Sequence, residues 1–266
     1  MTQRLDAALA ERGLVRSRTH AAALIADAAV RVDGRVVTKP STRVEADSDL
    51  QVDAADDYVS RGAHKLVAAL DAFSVVVDGR LALDMGASTG GFTQVLRERG
   101  AAPVIAADVG HDQLSPSVAA DPGVHALEGY NVRFMTPESL ARASGVDDTP
   151  AVITGDLSFI SLTHVLPAVS LVAAPGADVL LLVKPQFEVG RTGVRGGVVV
   201  DPVLRVDAVR TVLAAAWAAG LGTLGVRRSP LEGSHGNVEV LVHISPGRGS
   251  DPTEWEDAIA HEGGGR

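Results

Sequence analysis

The sequence predicts an α/β protein: a Rossmann-like, mostly parallel sheet ending in an antiparallel hairpin, preceded by a small α+β domain. Three observations carry that reading. From Gly62 onward, short aliphatic runs alternate with helical patterns, as in a parallel sheet whose crossovers are helices. Before that point lie two amphipathic helical stretches and several very short strands. Between the two, Ala54–Asp57 is acidic and lacks any periodicity. The expected boundaries are a first domain at 1–53, an acidic linker at 54–61, a sheet domain at 62–245 and a tail at 246–266. That tail is rich in Gly, Ser and acids and is expected to fray.

In the first domain, Leu5, Ala8, Leu9 and Leu14 recur at helical spacing over residues 3–13, and Gly13 is placed to close that helix. Ser17 is a suitable cap for a second helix over 18–28, with Ala21, Leu24 and Ile25 on one face. Strands follow at Val30–Val32 and near Val36–Val37, joined by a tight Asp33-Gly34 turn, and a third lies around Leu50–Val52. In the second domain, strands are expected at Leu81–Leu83, Val104–Ala107, Val124–Leu127, Ala151–Thr154, Val179–Val183, Thr223–Arg227 and Val238–Val242. Helices are expected near 63–73, 91–99, 113–119, 136–143, 162–173 and 202–219. No helical pattern separates the last two strands, hence the antiparallel hairpin.

Composition narrows the function. The chain has 266 residues, 46% of them apolar, and no cysteine. A disulfide framework, a thiolate metal site and a cysteine nucleophile are therefore excluded, and no metal is expected. The N-terminal MTQRLDAALAERGL lacks the apolar core of a signal peptide, and no apolar run approaches a membrane span. A cytoplasmic, monomeric protein without membrane association is expected. The net charge of −9 is unevenly spread: residues 1–43 carry eight Arg and Lys against four acids, whereas 44–57 carry six acids and no base. A basic head on an acidic body suits selective docking onto a polyanion; the plainer alternative is a solvated helical face.

The most specific local signal is Asp84-Met-Gly86-Ala-Ser88-Thr-Gly90-Gly91-Phe92, between a strand and a helix. Glycines there let the backbone turn sharply and approach a ligand. The spacing is not the dinucleotide G-x-G-x-x-G, and the P-loop lysine is missing. Asp108 ends the next strand, where an acid binds ribose hydroxyls, with Val109 beside it and Asn131 following the third strand. An acid, a glycine loop and a second strand-end acid look like the S-adenosylmethionine site of a Rossmann-type methyltransferase. A simple glycine turn with capping acids is the structural alternative.

The basic residues point to the chemistry. Of twenty-four, only Lys39, Lys65 and Lys184 are lysine. Arginine stays charged, whereas a lysine in suitable surroundings gives up its proton near neutral pH. Asp156 and Lys184 each lie just past a predicted strand; if those strands are parallel neighbours, their ends are about 5 Å apart. Lys65 sits on the helix leading into the sheet, and Glu239 begins the last predicted strand. Two lysines and two acids converging on one cleft would tune one lysine toward neutrality. Taken singly, each is equally a surface or salt-bridge group.

These blocks resemble the haemolysin A/TlyA family of ribosomal RNA 2'-O-methyltransferases, relatives of the FtsJ-type enzymes. The resemblance runs from Arg4-Leu-Asp to Asn237-Val-Glu239. Its distinctive parts are Ser60-Arg-Gly-Ala-His-Lys65-Leu, the Asp84–Phe92 loop, Asp156-Leu-Ser-Phe-Ile-Ser161 and Val183-Lys-Pro-Gln-Phe-Glu188. It implies that Lys65, Asp156, Lys184 and Glu239 form the family's catalytic tetrad, with Asp156 also at the cofactor. The first domain resembles the alpha-L RNA-binding module, through Arg4-Leu-Asp, Gly13-Leu, Arg16-Ser-Arg18, Val32-Asp-Gly34 and Lys39-Pro40. Two departures stand out: the linker reads Asp56-Asp57-Tyr58-Val59 where relatives carry Arg-x-Trp-Val, and Ala28-Ala29 replaces a basic residue before the Val32 strand.

The implied reaction is methyl transfer from S-adenosylmethionine to a ribose 2'-hydroxyl of ribosomal RNA, in ribosomal subunits or the ribosome, with cytidine in 16S and/or 23S rRNA as target. Lys184 would accept the proton or orient the hydroxyl. Arg4, Arg16, Arg18 and Lys39 in the head, with Arg61 and Arg133 near the cleft mouth, would hold phosphates. Phe159 or Phe187 would stack on an extruded nucleotide, core packing being the better expectation for Phe159. The rival readings are a membrane-acting haemolysin, a non-catalytic ribosome-binding assembly protein, and a pseudouridine synthase, whose chemistry needs no such cofactor loop.

Overall fold

The alternating pattern after Gly62 does form one sheet, and its strand order locates the ligand edge. The computed structural model describes residues 2–15, 18–26, 28–52, 58–190, 193–233 and 236–265, and it divides into two units, 1–58 and 59–266.

In the first unit, β1 (Gln3–Arg4) leads directly into α1 (Leu5–Glu11), followed by α2 (Arg18–Ala26), β2 (Val30–Val32), β3 (Arg35–Val36), β4 (Arg43–Val44) and β5 (Leu50–Val52). The first helix starts two residues later than its periodicity suggests, because Gln3 and Arg4 pair with Val44 and Arg43. Gly13 closes it as expected: at φ +69° its N–H reaches the Ala10 carbonyl, and that of Leu14 reaches Leu9. These are the paired bonds of a Schellman motif. Asp33 and Gly34, both at positive φ, turn β2 into β3, and β5 lies on the other side of β2. Leu5, Leu9, Ile25, Val30 and Leu50 close the core. Ser17 and the acidic stretch Ala54–Asp57 lie outside the described residues.

The second unit opens with α3 (Ala63–Phe73), β6 (Ala82–Met85), α4 (Gly91–Glu98), β7 (Val104–Ala107), α5 (Pro116–Ala119) and β8 (Val124–Leu127). It continues through α6 (Pro137–Ser144), β9 (Val152–Gly155), α7 (Leu166–Val172), β10 (Asp178–Val183) and α8 (Pro185–Glu188). It ends with α9 (Pro202–Ala218), β11 (Leu221–Arg228), β12 (Val240–Pro246) and α10 (Glu256–Gly264). The sheet order is β11-β12-β10-β9-β6-β7-β8, parallel from β10 to β8. The chain reverses direction across the sheet between β6 and β9, and ligands bind outside the carboxyl ends of strands at such a switch point.

The hairpin forms as expected, with β12 between β10 and β11. Four sequence expectations are corrected here. β12 starts at Val240, so Glu239 precedes it. The helix expected from 113 is only α5, since Asp112 takes φ +55° and Ser115, ahead of Pro116, is driven out of the helical region. The helix expected at 162–173 is split into a 3-10 turn, Leu162–His164, and α7, because Pro167 has no N–H to continue the ladder. The largest correction is the tail. Instead of fraying, it folds into α10, with Ile259 fully buried. Arg205 of α9 donates to the terminal carbonyls of Gly263 and Gly264. The apolar positions 255, 258 and 259 carried that helical spacing, hidden within a polar, Gly-rich composition.

At the sheet end away from the ligand edge, Asp178 of β10 accepts from His243, Arg80 and Arg248. Burial alone would raise its carboxyl; these three partners overrule it and hold the group well below the usual carboxylate range.

Candidate active site

The loop after β6 is tied down from below. Asp84 is fully buried and accepts hydrogen bonds from Thr93 of α4, 2.7 Å, and Thr154 of β9, 3.0 Å. Burial raises its carboxyl to about 6, with the two hydroxyls pulling the other way. Gly86 takes φ +78°, and a Cβ there would lie 3.0 Å from Leu157 Cδ2 and 3.2 Å from the Asp156 carbonyl oxygen. Its glycine thus lets two loops touch. Gly90, at φ +96°, packs against Leu114 and Val118, and Gly91 leaves no room for a Cβ beside the Ser60 hydroxyl. Phe92 is buried. Asp84, Gly90, Gly91 and Phe92 therefore shape the loop from behind.

What faces outward is a cavity of about 540 Å³ lined by Gly86, Ser88, Asp108, Val109, Asn131 and Asp156. Asp108 follows β7, and its two carboxylate oxygens accept the N–H groups of Ser88 and Gly110, each at 2.8 Å. Ser88 reaches it from a left-handed backbone, φ +49°. Gln113 and Tyr130 also line this cavity. Tyr130 follows β8 and so falls on the ligand edge by topology, whereas nothing in the sequence singles out Gln113.

Beside it lies a second cavity of about 400 Å³, lined by Lys184, Gln186, Phe187, Asn237 and Glu239, and sharing Ser158 and Phe159 with the first. β9 and β10 are parallel neighbours, so the residues after them meet. Lys184 Nζ is 2.7 Å from Asp156 Oδ1 and donates to Ser158 Oγ at 2.9 Å. Lys65, from α3, places Nζ 2.6 Å from Glu239 Oε2 and 3.8 Å from Asp156 Oδ2. Both lysines and Glu239 are buried. Gly233 makes space for Glu239, since a Cβ would collide with its carboxylate. The two loops are pinned by Glu188, which accepts from Ser161 Oγ at 2.5 Å and from the Leu162 N–H at 2.9 Å. Glu188 is a link that its motif did not reveal. Burial pushes its carboxyl up, with both donors opposing.

Phe159 corrects the core-packing expectation. It is 92% exposed at φ +64°, an unusual backbone for a bulky side chain, and its ring lies 5.3 Å from that of Phe187. Among the cations expected to hold phosphate, Arg133 is exposed and stacks on Phe134, Arg61 and Lys39 are exposed, and Arg16 lies outside the described residues. Arg4 and Arg18 both pair with Asp6, whose carboxyl the Arg4 hydrogen bonds hold down at about 2.

The strand order, the glycine loop after β6 and the acid after β7 define a methyltransferase fold. A family model described as FtsJ-like methyltransferase matches residues 58–245, and an S4 domain model matches residues 3–50. The chain belongs to the FtsJ-like methyltransferase family and carries an N-terminal S4 domain. It is 52% identical, over 91% of its length and 89% of the relative's, to the 16S/23S rRNA (cytidine-2'-O)-methyltransferase TlyA of Mycobacterium tuberculosis. It is 34% identical to Hemolysin A of Brachyspira hyodysenteriae, over 91% of this chain and 99% of that one. A solved Streptococcus thermophilus structure described as a hemolysin superposes with a TM-score of 0.76 at 33% identity, covering 98% of this chain and 95% of the other.

Proposed function

We propose that this protein methylates a ribose 2'-hydroxyl of ribosomal RNA with S-adenosylmethionine as donor, with cytidine in 16S and/or 23S rRNA as the target. The observation that carries the reading is Lys184, placed on the wall of one cavity by an acid that lines the other. The first cavity fits the donor: it combines a turn admitting backbone approach at Gly86 and Ser88, a strand-end acid at Asp108 suited to ribose hydroxyls, and an apolar wall at Val109. When bound, the donor supplies an electrophilic methyl group on a cationic sulfur. The chain's own residues do the rest.

A ribose hydroxyl is a weak nucleophile, so positioning and proton removal carry the rate. The second cavity receives the ribose, and Lys184 Nζ accepts the hydroxyl proton. Asp156 holds that nitrogen, while Lys65 balances Asp156 on its other side and is itself held by Glu239. Phe159 and Phe187 offer an aromatic face to the base of an extruded nucleotide. In the S4 domain, Arg4, Arg18 and Lys39 contact phosphate, as do Arg61 and Arg133 on the methyltransferase unit. The haemolytic reading calls for membrane contact, whereas these residues converge on proton transfer beside a methyl-donor cavity; among the described residues, no helix is long and apolar enough to cross a membrane.

Lys184→Arg tests the assignment, because it keeps a cation but removes a base. Turnover should fall about 10²- to 10⁴-fold, with S-adenosylmethionine affinity by calorimetry unchanged. Near-normal methylation by this variant would sink the assignment. Mapping 2'-O-methyl positions in rRNA with and without the protein identifies the nucleotide.

A further inference from the structure

Lys184 has a second partner that none of the motifs explains. Its Nζ donates to Ser158 Oγ at 2.9 Å, and Ser158 lies on the boundary shared by the two cavities. Ser158 and Asp156 are two residues apart in the segment after β9, and both reach the same nitrogen. Leu157, between them, packs the other way, close to Gly86. The segment therefore forms a two-pronged cradle for one amine, with its apolar residue turned to the glycine loop.

A cradle of this kind has a chemical consequence. An amine ready to accept a proton has two N–H donors and one lone pair. The Asp156 Oδ1 contact is an ion pair off hydrogen-bond geometry, so the one hydrogen bond that orients the amine goes to Ser158. With one N–H on Ser158 and the other on the Asp156 side, the lone pair is left only the third tetrahedral direction. Lys184 also lines the acceptor cavity. We infer that Ser158 is a positioning residue, whose hydroxyl fixes the rotation of the Lys184 amine so that its lone pair faces the incoming ribose hydroxyl. With Asp156 alone, the amine would turn about its terminal C–N bond and present the lone pair in the right direction only part of the time. The charged groups around this amine are Asp156 from the β9 loop, Lys65 from α3 on the far side of Asp156, and Glu239 ahead of β12. Ser158 adds direction without adding charge.

This inference rests on the proposed 2'-O-methylation and is tested on the full chain with its rRNA substrate. Ser158→Ala should lower kcat about 10- to 10²-fold, the scale of a misoriented catalytic group. KM for rRNA and the calorimetric affinity for S-adenosylmethionine should stay unchanged. Position 158 is exposed, so Ser158→Thr has room for its extra methyl and should restore most of kcat by restoring the hydroxyl. Thermal melting of both variants checks folding. Unchanged kcat in Ser158→Ala would mean that the serine is only a placeholder for the substrate hydroxyl, and overturns the inference. A weakened donor affinity, or a rise confined to KM, would assign Ser158 to binding and overturns it equally. An active wild type with an indifferent Ser158→Ala fails this inference alone, whereas a wild type inactive on rRNA ribose fails the underlying function.

Discussion

Asp84 is a carboxylate that the fold encloses with two threonine hydroxyls. Its folded value near 6 lies above the ordinary 3.8, with burial as the main cause. For a raised acid the sign is fixed: its favourable contribution is complete below pH 3.8 and is lost as pH rises through 6. At neutral pH, holding the ionised form in the interior therefore costs on the order of 3 kcal/mol. Asp84→Asn should then melt higher than wild type at pH 7 to 8, with the gap closing as pH falls toward 4. A gap that does not change with pH would mean that charge burial is not what strains this position. The same residue shows the limit of sequence reading. Its place at the end of a strand before glycines was legible, but its direction was not. That depended on Thr93 and Thr154, neither of which belongs to a motif that draws attention.

At the scale of elements, the ends of β9 and β10 were readable because two aliphatic runs each stop at a charged residue, Asp156 and Lys184. Parallel pairing then had to bring them together. The insertion of β12 was not readable: the apolar run from Val240 fits an edge or an interior position equally, and only pairing on both sides distinguishes them. The pairing of Arg4 and Arg18 with Asp6 was hidden for a similar reason, since it joins residues of β1, α1 and α2 that no periodicity links. The glycine loop yields a prediction of its own. Gly86→Ala adds a Cβ at positive φ against Leu157 and the Asp156 carbonyl. It should cost about 1–3 kcal/mol in denaturant unfolding and lower kcat by pushing the Asp156 segment out of line. Equal stability of variant and wild type would show that the two loops have slack.

For the whole molecule, the chain divides into two units, and on the proposed function the S4 domain supplies most of the RNA affinity while the second unit carries the chemistry. Deleting residues 1–55 should abolish rRNA binding in a filter or mobility assay while leaving S-adenosylmethionine binding by calorimetry intact. Loss of both would mean that the methyltransferase unit does not stand without the S4 domain. Within that unit, the insertion of β12 reaches back to how the protein is made. Lys65 leaves the ribosome early in synthesis, and its partner Glu239 follows 174 residues later. Until the segment ahead of β12 has been made, a lysine that the fold buries has no Glu239 to pair with. The residues of the glycine loop and of strands β6 to β10 thus all emerge before the last member of the four-residue cluster. A chain cut before residue 239 therefore keeps every residue named for the donor cavity and loses the partner that holds Lys65.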